Sequence, residues 1–210
     1  MSISDMIENY PIYISNKEHL ASVSAGRHYL IATDGACKGN PGRGGWGLVK
    51  QLWDGKQLLR QAPNAGQSPY VTTTNVRMEM MAALKAVVGI TETDTPAVIL
   101  SDNEMVIKGM TEWITGWKTK GWRGSKGPLA NVDLWQQLDA ACVGKVIHWF
   151  WVKGHAGHDL NEIADTLASN AALGKYPKGR KTIQIMNPEL FINRTHVYAD
   201  CQTSISTTSL

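Results

Sequence analysis

The sequence of 210 residues has few cysteines and no long apolar run. Its three cysteines, Cys37, Cys142 and Cys201, are odd in number and far apart, which argues against a disulfide framework and favours a reducing compartment. No stretch reaches the roughly 18 apolar residues that a membrane span requires. The first twenty residues lack the basic and apolar segments of a secretory signal, so we expect a cytoplasmic protein with no membrane association.

The composition is that of a globular protein with a slight excess of positive charge. Hydrophobic residues make up 43% of the chain, which is ample for a core, and the net charge of +3 favours a polyanionic partner. We expect one domain over residues 28–174, an N-terminal extension over 1–27 and a C-terminal extension over 175–210. The patterns do not predict the order or role of either extension.

Three strands are predicted in the first half of the domain. "RHYLIATD" is interpreted as an alternating first strand, which places Leu30, Ala32 and Asp34 on one face. "WGLVKQLW" alternates again, and a turn signal at Asp54–Gly55 leads into "KQLLRQA". Short turns between strands predict an antiparallel meander.

The second half alternates helices with strands. Helical spacing appears in "TNVRMEMMAALKAVVGI", "NEMVIKGMTEWITGW", "NVDLWQQLDAAC" and "DLNEIADTLASNAAL", the third with an expected cap at Asn131. "PAVILSD" and "KVIHWFWVKG" are typical of strands between them. This order predicts parallel pairing through right-handed crossovers, and hence an α/β fold with a mixed sheet of about five strands.

Gly42, Gly44 and Gly47 form a G-x-G-x-x-G pattern, which also occurs in dinucleotide-binding loops. Such a loop must lead into a helix that meets the pyrophosphate, whereas a strand follows here. We therefore expect no nucleotide cofactor, and we interpret the glycines as parts of a tight turn and a bulge that need a positive φ.

Four acidic residues stand where carboxylates are costly or functional. Glu79 lies at the apolar stripe of its helix, Asp34 and Asp102 end strands, and Asp165 lies beside the apolar stripe of the last helix. Each has an ordinary alternative role as turn former, helix cap, ion-pair partner or solvated residue. Together, brought close by the sheet, they would raise each other's pKa until a cation binds. Oxygen ligands select Mg²⁺ or Mn²⁺, and two such ions can hydrolyse a phosphodiester.

Five collinear motifs resemble those of the type 1 ribonuclease H family in its bacterial form, over residues 28–173. They are "TDGACKGNPGRGGWG", "TTTNVRMEMMAAL", "LSDNEMVIKGMTEWITGWKTKGW", "NVDLW" and "WVKGHAGHDLNEIAD". The resemblance implies a ribonuclease H-like fold, with a five-stranded sheet in the order 3-2-1-4-5 and flanking helices. It also implies a monomer that hydrolyses the RNA strand of RNA–DNA hybrids with two Mg²⁺ ions, for which Mn²⁺ is a possible substitute.

The resemblance assigns roles to individual residues. The four carboxylates match the family's metal ligands, and His155, flanked by Gly154 and Gly157, matches its catalytic-loop histidine. The implied substrate contacts comprise a minor-groove set, a phosphate-pocket residue and a basic protrusion over residues 113–130. The minor-groove set is Cys37, Asn40 and Asn75, and the phosphate-pocket residue is Thr74. The protrusion contributes Trp113, Lys118, Lys120, Arg123 and Lys126. Trp117, Trp135 and Trp149 are expected to pack in the core.

The sequence departs from the family pattern at three positions and leaves three further hypotheses open. Glu104 stands where the family usually has Gln, Met105 where Tyr is common and Val76 where Asn is frequent. A zinc site at His155 and His158 is one competing hypothesis, although no tetrahedral ligand set is present. A non-catalytic nucleic-acid-binding module is the second, and a nuclease of the integrase or resolvase type on the same fold is the third.

Overall fold

The first three strands form the predicted antiparallel meander. A computed structural model describes residues 2–3, 22–125 and 127–176. Strand β1 (Arg27–Lys38) pairs with β2 (Arg43–Asp54), and β2 pairs with β3 (Gln57–Gln67), both in antiparallel fashion. The turn predicted at Asp54–Gly55 joins β2 to β3, with Gly55 at φ +53°.

Two parallel strands complete the main sheet. Strand β4 (Ala97–Ser101) lies beside β1, and β7 (Ile147–Trp151) lies beside β4. The strand order is β3-β2-β1-β4-β7, which confirms the predicted five-stranded mixed sheet, with β7 as its fifth member. The short strands β5 (Arg123–Gly124) and β6 (Gly127–Pro128) form a separate pair within the predicted basic protrusion.

Helices lie on both faces of the sheet. Helix α1 (Asn75–Val88) precedes β4, helix α4 (Val132–Cys142) precedes β7, and helix α5 (Asp159–Ala172) follows it. Neighbouring residues of β1 belong to two separate apolar clusters, as expected for opposite faces of a strand. Residues of α1 and α4 belong to the same cluster as Tyr29 and Ile31, whereas residues of α5 belong to the cluster of Leu30 and Ala32.

The helical segment after β4 contains a π-helical turn. Helix α2 (Glu104–Lys108) runs into this turn at Gly109–Trp113 and continues as α3 (Ile114–Thr119). A side chain at Gly109 would collide with the ring of Trp135, whose own exposure is 2%. The turn therefore lies where the backbone passes directly over a buried tryptophan.

Asn131 is the N-cap residue of α4, as predicted, but its side chain does not cap the helix. Its backbone φ is +54°. Its Oδ1 instead accepts a hydrogen bond from Arg77 of α1 at 3.1 Å, and Arg77 also forms an ion pair with Asp133. The first turn of α4 is thus tied to α1 by a long-range contact that local sequence does not reveal.

The glycines of the G-x-G-x-x-G pattern serve close packing, and the expected positive φ is wrong. Gly42, Gly44 and Gly47 have no positive φ, and Gly39 provides it in the β1–β2 turn. A Cβ at Gly47 would collide with the carbonyl of Ala164 and lie 2.6 Å from the amide nitrogen of Ala168. The bare backbone of β2 thus brings α5 directly onto the sheet.

Part of the predicted N-terminal extension packs against this domain. Ile3 is fully buried in the apolar cluster on the α5 side of the sheet. In the part of the chain that the structure describes, no helix is both long enough and apolar enough to cross a membrane. Most of the predicted extensions, together with Lys126, lie outside the described residues.

Candidate active site

Three of the four predicted carboxylates meet beside the carboxyl end of β4. Asp34 does not end its strand as predicted, because β1 continues to Lys38. Asp34 lies on β1, Glu79 on α1 and Asp102 directly after β4, and one oxygen of each lies within 4.8 Å of the others. Gly35 makes this approach possible, because a Cβ there would collide with the backbone nitrogen of Glu79. Asp34 and Glu79 are only 7% and 5% exposed. The separation of the three carboxylate oxygens suits the sharing of a divalent cation.

The electrostatics of this cluster are those of a cation site. Burial, followed by the charges of Asp102 and Asp165, raises the pKa of Asp34 to about 8. Burial and the charge of Asp34 hold the pKa of Glu79 well above its usual value, and burial also raises that of Asp102. Glu79 Oε2 is buried without a hydrogen-bond partner. An unpaired buried carboxylate oxygen among acidic neighbours fits a hard divalent ion.

Asp165 lies at the edge of this cluster. It is half-buried on α5, and its charge contributes to the raised pKa values of Asp34 and Glu79. It lies outside the compact group of three, and it accepts a hydrogen bond from Ser169 Oγ at 3.4 Å. The structure therefore places all four predicted carboxylates in one region, with three of them close enough to share one ion.

His155 lies in the loop between β7 and α5, close to Asp102. Its side chain is exposed and its φ is +51°. Burial raises the pKa of Asp102, and the charge of His155 partly offsets this rise. A Cβ at Gly154 would lie 2.6 Å from Asp102 Oδ2, so this glycine permits close contact, and Gly157 has a positive φ of +77°. His158 is 1% exposed, and its burial lowers its pKa.

Among the residues that the structure describes, the two histidines belong to no cluster that could hold zinc. Among the described residues, the only group of histidine, cysteine and acidic side chains close enough to share a metal is Asp34, Glu79 and Asp102. His155 is exposed and His158 is buried, and neither belongs to this group. The metal chemistry of the site is therefore that of carboxylates.

The predicted minor-groove residues gather beside Glu79. Asn40, in the β1–β2 turn, accepts a hydrogen bond from the backbone nitrogen of Asn75 at 3.2 Å. Thr74 caps α1 by accepting from the nitrogen of Arg77, and the Cys37 thiol donates to the carbonyl of Thr73 at 3.3 Å. The β1–β2 turn and the start of α1 thus form one polar surface next to the carboxylates.

The basic protrusion is built on a row of tryptophans. Trp113 is 38% exposed, and its ring centroid lies 5.8 Å from that of Trp117, which packs at 4.9 Å against Trp135. Lys120 and Arg123 are exposed. Trp117 and Trp135 therefore pack as predicted, while Trp113 keeps a surface available to a ligand.

Lys118 differs from the other cations of the protrusion. Its ammonium group forms an ion pair with Asp139 of α4 at 2.8 Å. Part of its charge is therefore compensated within the protein.

The departures from the family pattern also have structural counterparts. Glu104 forms an i, i+4 ion pair with Lys108 at 2.6 Å, which offsets the extra charge near Asp102. Val76 and Met105 pack against the apolar cluster on the α1 side.

Comparison with known proteins agrees with this geometry. The family model described as RNase H matches residues 26–173. The chain belongs to the RNase H family. It is 49% identical over 140 residues to a ribonuclease H of Caulobacter sp. (strain K31), a match that covers 66% of this chain and 86% of that protein. It is 46% identical over 151 residues to ribonuclease HI of Caulobacter vibrioides, covering 70% of this chain and 95% of that one.

A solved structure shows the same family fold. LC9-RNase H1, a type 1 RNase H with the type 2 active-site motif, aligns with a TM-score of 0.67 at 28% identity. The alignment covers 83% of this chain and 84% of that one. Since the curated relatives are matched over most of their length, this chain is a ribonuclease H enzyme.

The sequence patterns did not single out Trp151 or Asn161 of this RNase H. Trp151 Nε1 donates to the backbone carbonyl of Asp102 at 2.8 Å, and Asn161 Nδ2 donates to Asp102 Oδ2 at 3.4 Å. A sequence signal was available for Asn161, because it lies four residues before Asp165 and is polar on an otherwise apolar helix face. Trp151 carries no comparable signal.

We expect the metal-free enzyme to lose stability as the pH rises. The pKa of Asp34 is about 8 in the folded protein against 3.8 ordinarily, so its ionisation favours unfolding between these values. The stabilisation that the protonated Asp34 gives the fold is fully present below its ordinary pKa of 3.8. It is lost as the pH rises through the pKa of about 8 in the folded protein. Urea unfolding in EDTA should show a free energy of unfolding lower by about 2 kcal/mol or more at pH 8.5 than at pH 5.5.

Saturating Mg²⁺ should remove most of this pH dependence, because the cation stabilises the ionised carboxylates. A free energy of unfolding that stays constant or rises with pH in EDTA would contradict the assigned electrostatics.

Proposed function

We propose that this protein is an endonuclease that hydrolyses the RNA strand of RNA–DNA hybrids with two Mg²⁺ ions. The observation that carries the proposal is the cluster of Asp34, Glu79 and Asp102, whose oxygens lie within 4.8 Å beside a polar surface. Asp34 and Asp102 would contact both ions, with Glu79 and Asp165 completing the ligand set. The identity to curated bacterial ribonucleases H supports the same activity.

The donor set fits these ions. All the proposed ligands are carboxylate oxygens, and the unpaired, buried Oε2 of Glu79 needs a positive partner. Bound divalent cations would supply positive charge to stabilise the transition state at the scissile phosphate. The protein contributes a rigid support, because strands β1 and β4 and helix α1 fix the carboxylates before any ion arrives.

Residues around the cluster would recognise the hybrid. Cys37, Asn40 and Asn75 offer polar groups to base edges and 2′-hydroxyls, which distinguish RNA from DNA in a wide, shallow minor groove. Thr74, at the N-terminus of α1, suits a phosphate group. The exposed His155 would transfer a proton or assist product release.

The protrusion would hold the DNA strand. Trp113, Lys120 and Arg123 present an exposed aromatic ring and two exposed cations, and Lys118 would add a cation through its partial exposure. Binding through such contacts weakens as salt increases. We further propose that residues 28–174 form the catalytic domain, because the whole carboxylate cluster lies within them, and that the protein is a cytoplasmic monomer.

Hydrolysis of a labelled RNA–DNA hybrid tests this function. With Mg²⁺ or Mn²⁺ we expect cutting within the RNA strand to leave 5′-phosphate and 3′-hydroxyl ends, and no cutting in EDTA. Duplex RNA and duplex DNA of the same sequence serve as matched substrates and should remain intact. Equal cleavage of duplex DNA would favour a nuclease of the integrase or resolvase type. Hybrid binding without turnover would favour a non-catalytic module.

A further inference from the structure

Asp102 is contacted from both ends of the loop that carries His155. Trp151, the last residue of β7, donates Nε1–H to the backbone carbonyl of Asp102 at 2.8 Å. Asn161, in the first turn of α5, donates Nδ2–H to Asp102 Oδ2 at 3.4 Å. Residues 152–158 form the loop between β7 and α5. The loop is therefore flanked on both sides by an element whose side chain contacts Asp102.

The loop backbone closes against Asp102 as well. The nitrogen of Val152 donates to the carbonyl of Ser101, next to Asp102, at 3.0 Å. At Gly154 the backbone lies so close that an added Cβ would be 2.6 Å from Asp102 Oδ2. Any displacement of this loop would consequently alter the surroundings of that oxygen.

Asn161 is buried at a cost to the fold. It is only 2% exposed, and its Oδ1 has no hydrogen-bond partner. An unpaired buried acceptor destabilises the fold, so an apolar residue would suit this helix face better on packing grounds alone. What the asparagine provides, and an apolar residue lacks, is the N–H group directed at Asp102.

We propose that Trp151 and Asn161 are positioning residues that couple the orientation of the Asp102 carboxylate to the conformation of the His155 loop. This inference rests on the proposed function of the carboxylates as metal ligands. Trp151 fixes the backbone of Asp102 and Asn161 fixes its side chain. Groups that orient a metal ligand in this way typically contribute a factor of about 10–100 to metal affinity.

Coupling of this kind is reciprocal. If the ordered loop favours the cation-binding orientation of Asp102, then a bound cation must favour the ordered loop by the same free energy. The metal site and the loop of His155 would then respond together, although His155 itself is exposed and belongs to no ligand cluster among the described residues.

Calorimetric titration of the full chain with Mg²⁺ tests the proposal without relying on activity. Asn161→Ala should weaken Mg²⁺ binding by about 10-fold or more. Trp151→Phe, which keeps a ring but removes the N–H donor, should weaken it in the same direction. Matched controls are Glu162→Ala, exposed in the same helical turn, and Trp149→Phe on the same strand. Both controls should bind Mg²⁺ like the wild type.

Hydrogen exchange and kinetics separate positioning from a general structural role. Mg²⁺ should slow amide exchange over residues 153–158 in the wild type, and much less so in Asn161→Ala. On the hybrid, kcat should fall while KM stays close to that of the wild type. Should Asn161→Ala fail to fold, Trp151→Phe alone decides the question. Unchanged Mg²⁺ affinity in a folded variant would overturn the proposal.

The two proposals fail in different ways. A protein whose Mg²⁺ affinity depends on Asn161 but which cuts no hybrid would refute the proposed function and retain the coupling. An active hybrid nuclease whose Asn161→Ala and Trp151→Phe variants bind Mg²⁺ normally would refute the coupling alone.

Discussion

Replacement of Asp34 by asparagine is expected to reduce hybrid cleavage by about 1000-fold or more, equivalent to about 4 kcal/mol of transition-state stabilisation. Asparagine keeps the shape of the side chain, but it removes the negative charge at the centre of the carboxylate cluster. The same change should make the metal-free protein more stable at pH 8, because the fold no longer holds a group whose pKa is raised to about 8. Cleavage rates and urea unfolding in EDTA measure the two effects.

The expected loss of activity and gain of stability together distinguish a catalytic defect from misfolding. A variant that merely misfolds would lose both activity and stability, whereas Asp34→Asn should lose activity and gain stability of about 2 kcal/mol. Asp54→Asn provides a matched control, because Asp54 is an exposed aspartate at the far end of β2. Full activity in Asp34→Asn would refute the assigned role of the carboxylate.

The second large effect is expected from Gly47→Ala. The added methyl group would collide with main-chain atoms of Ala164 and Ala168 in α5. A change of side-chain rotamer cannot move these atoms away. We expect the free energy of unfolding to fall by about 3 kcal/mol or more, because overpacking against backbone forces whole elements apart. Any folded fraction should also lose activity, since α5 carries Asp165.

Gly116→Ala is the matched control for this substitution. Gly116 lies in α3, and an added Cβ there would meet nothing within 4 Å. Alanine favours a helix over glycine by up to about 1 kcal/mol, so this variant should be neutral or slightly more stable. Equal unfolding curves for Gly47→Ala and the wild type would show that α5 does not pack on β2 as described.

The sheet and the carboxylates were predictable from sequence because their signals are local. Alternation in "RHYLIATD" placed Leu30 and Ala32 on one face, and the structure puts both in the same apolar cluster. Glu79 stood out in the sequence because its carboxylate interrupts the apolar stripe of a helix. The structure shows that this stripe is buried and that Glu79 is only 5% exposed. Such patterns depend on the period of one element and on the physics of burying charge.

The remaining features depend on partners that are distant along the chain. Gly47 is required by α5, more than a hundred residues later, so its spacing in "GRGGWG" suggested a turn instead. The side chain of Asn131 is directed to Arg77 of another helix, and Lys118 is paired with Asp139. The contact of Asn161 with Asp102 forms only when the fold brings these two residues together. Local sequence propensity predicts none of these contacts, because each joins residues that are distant along the chain.

The π-helical turn at Gly109–Trp113 fixes the angular setting of the protrusion. Such a turn corresponds to one inserted residue, and each residue of an α-helix advances the side-chain direction by about 100°. Shortening this turn by one residue would therefore rotate everything beyond it, swinging the exposed ring of Trp113 and the side chain of Lys118 to other sides of the helix. The length of a single helical turn thus sets the direction in which the exposed side chains of the protrusion point.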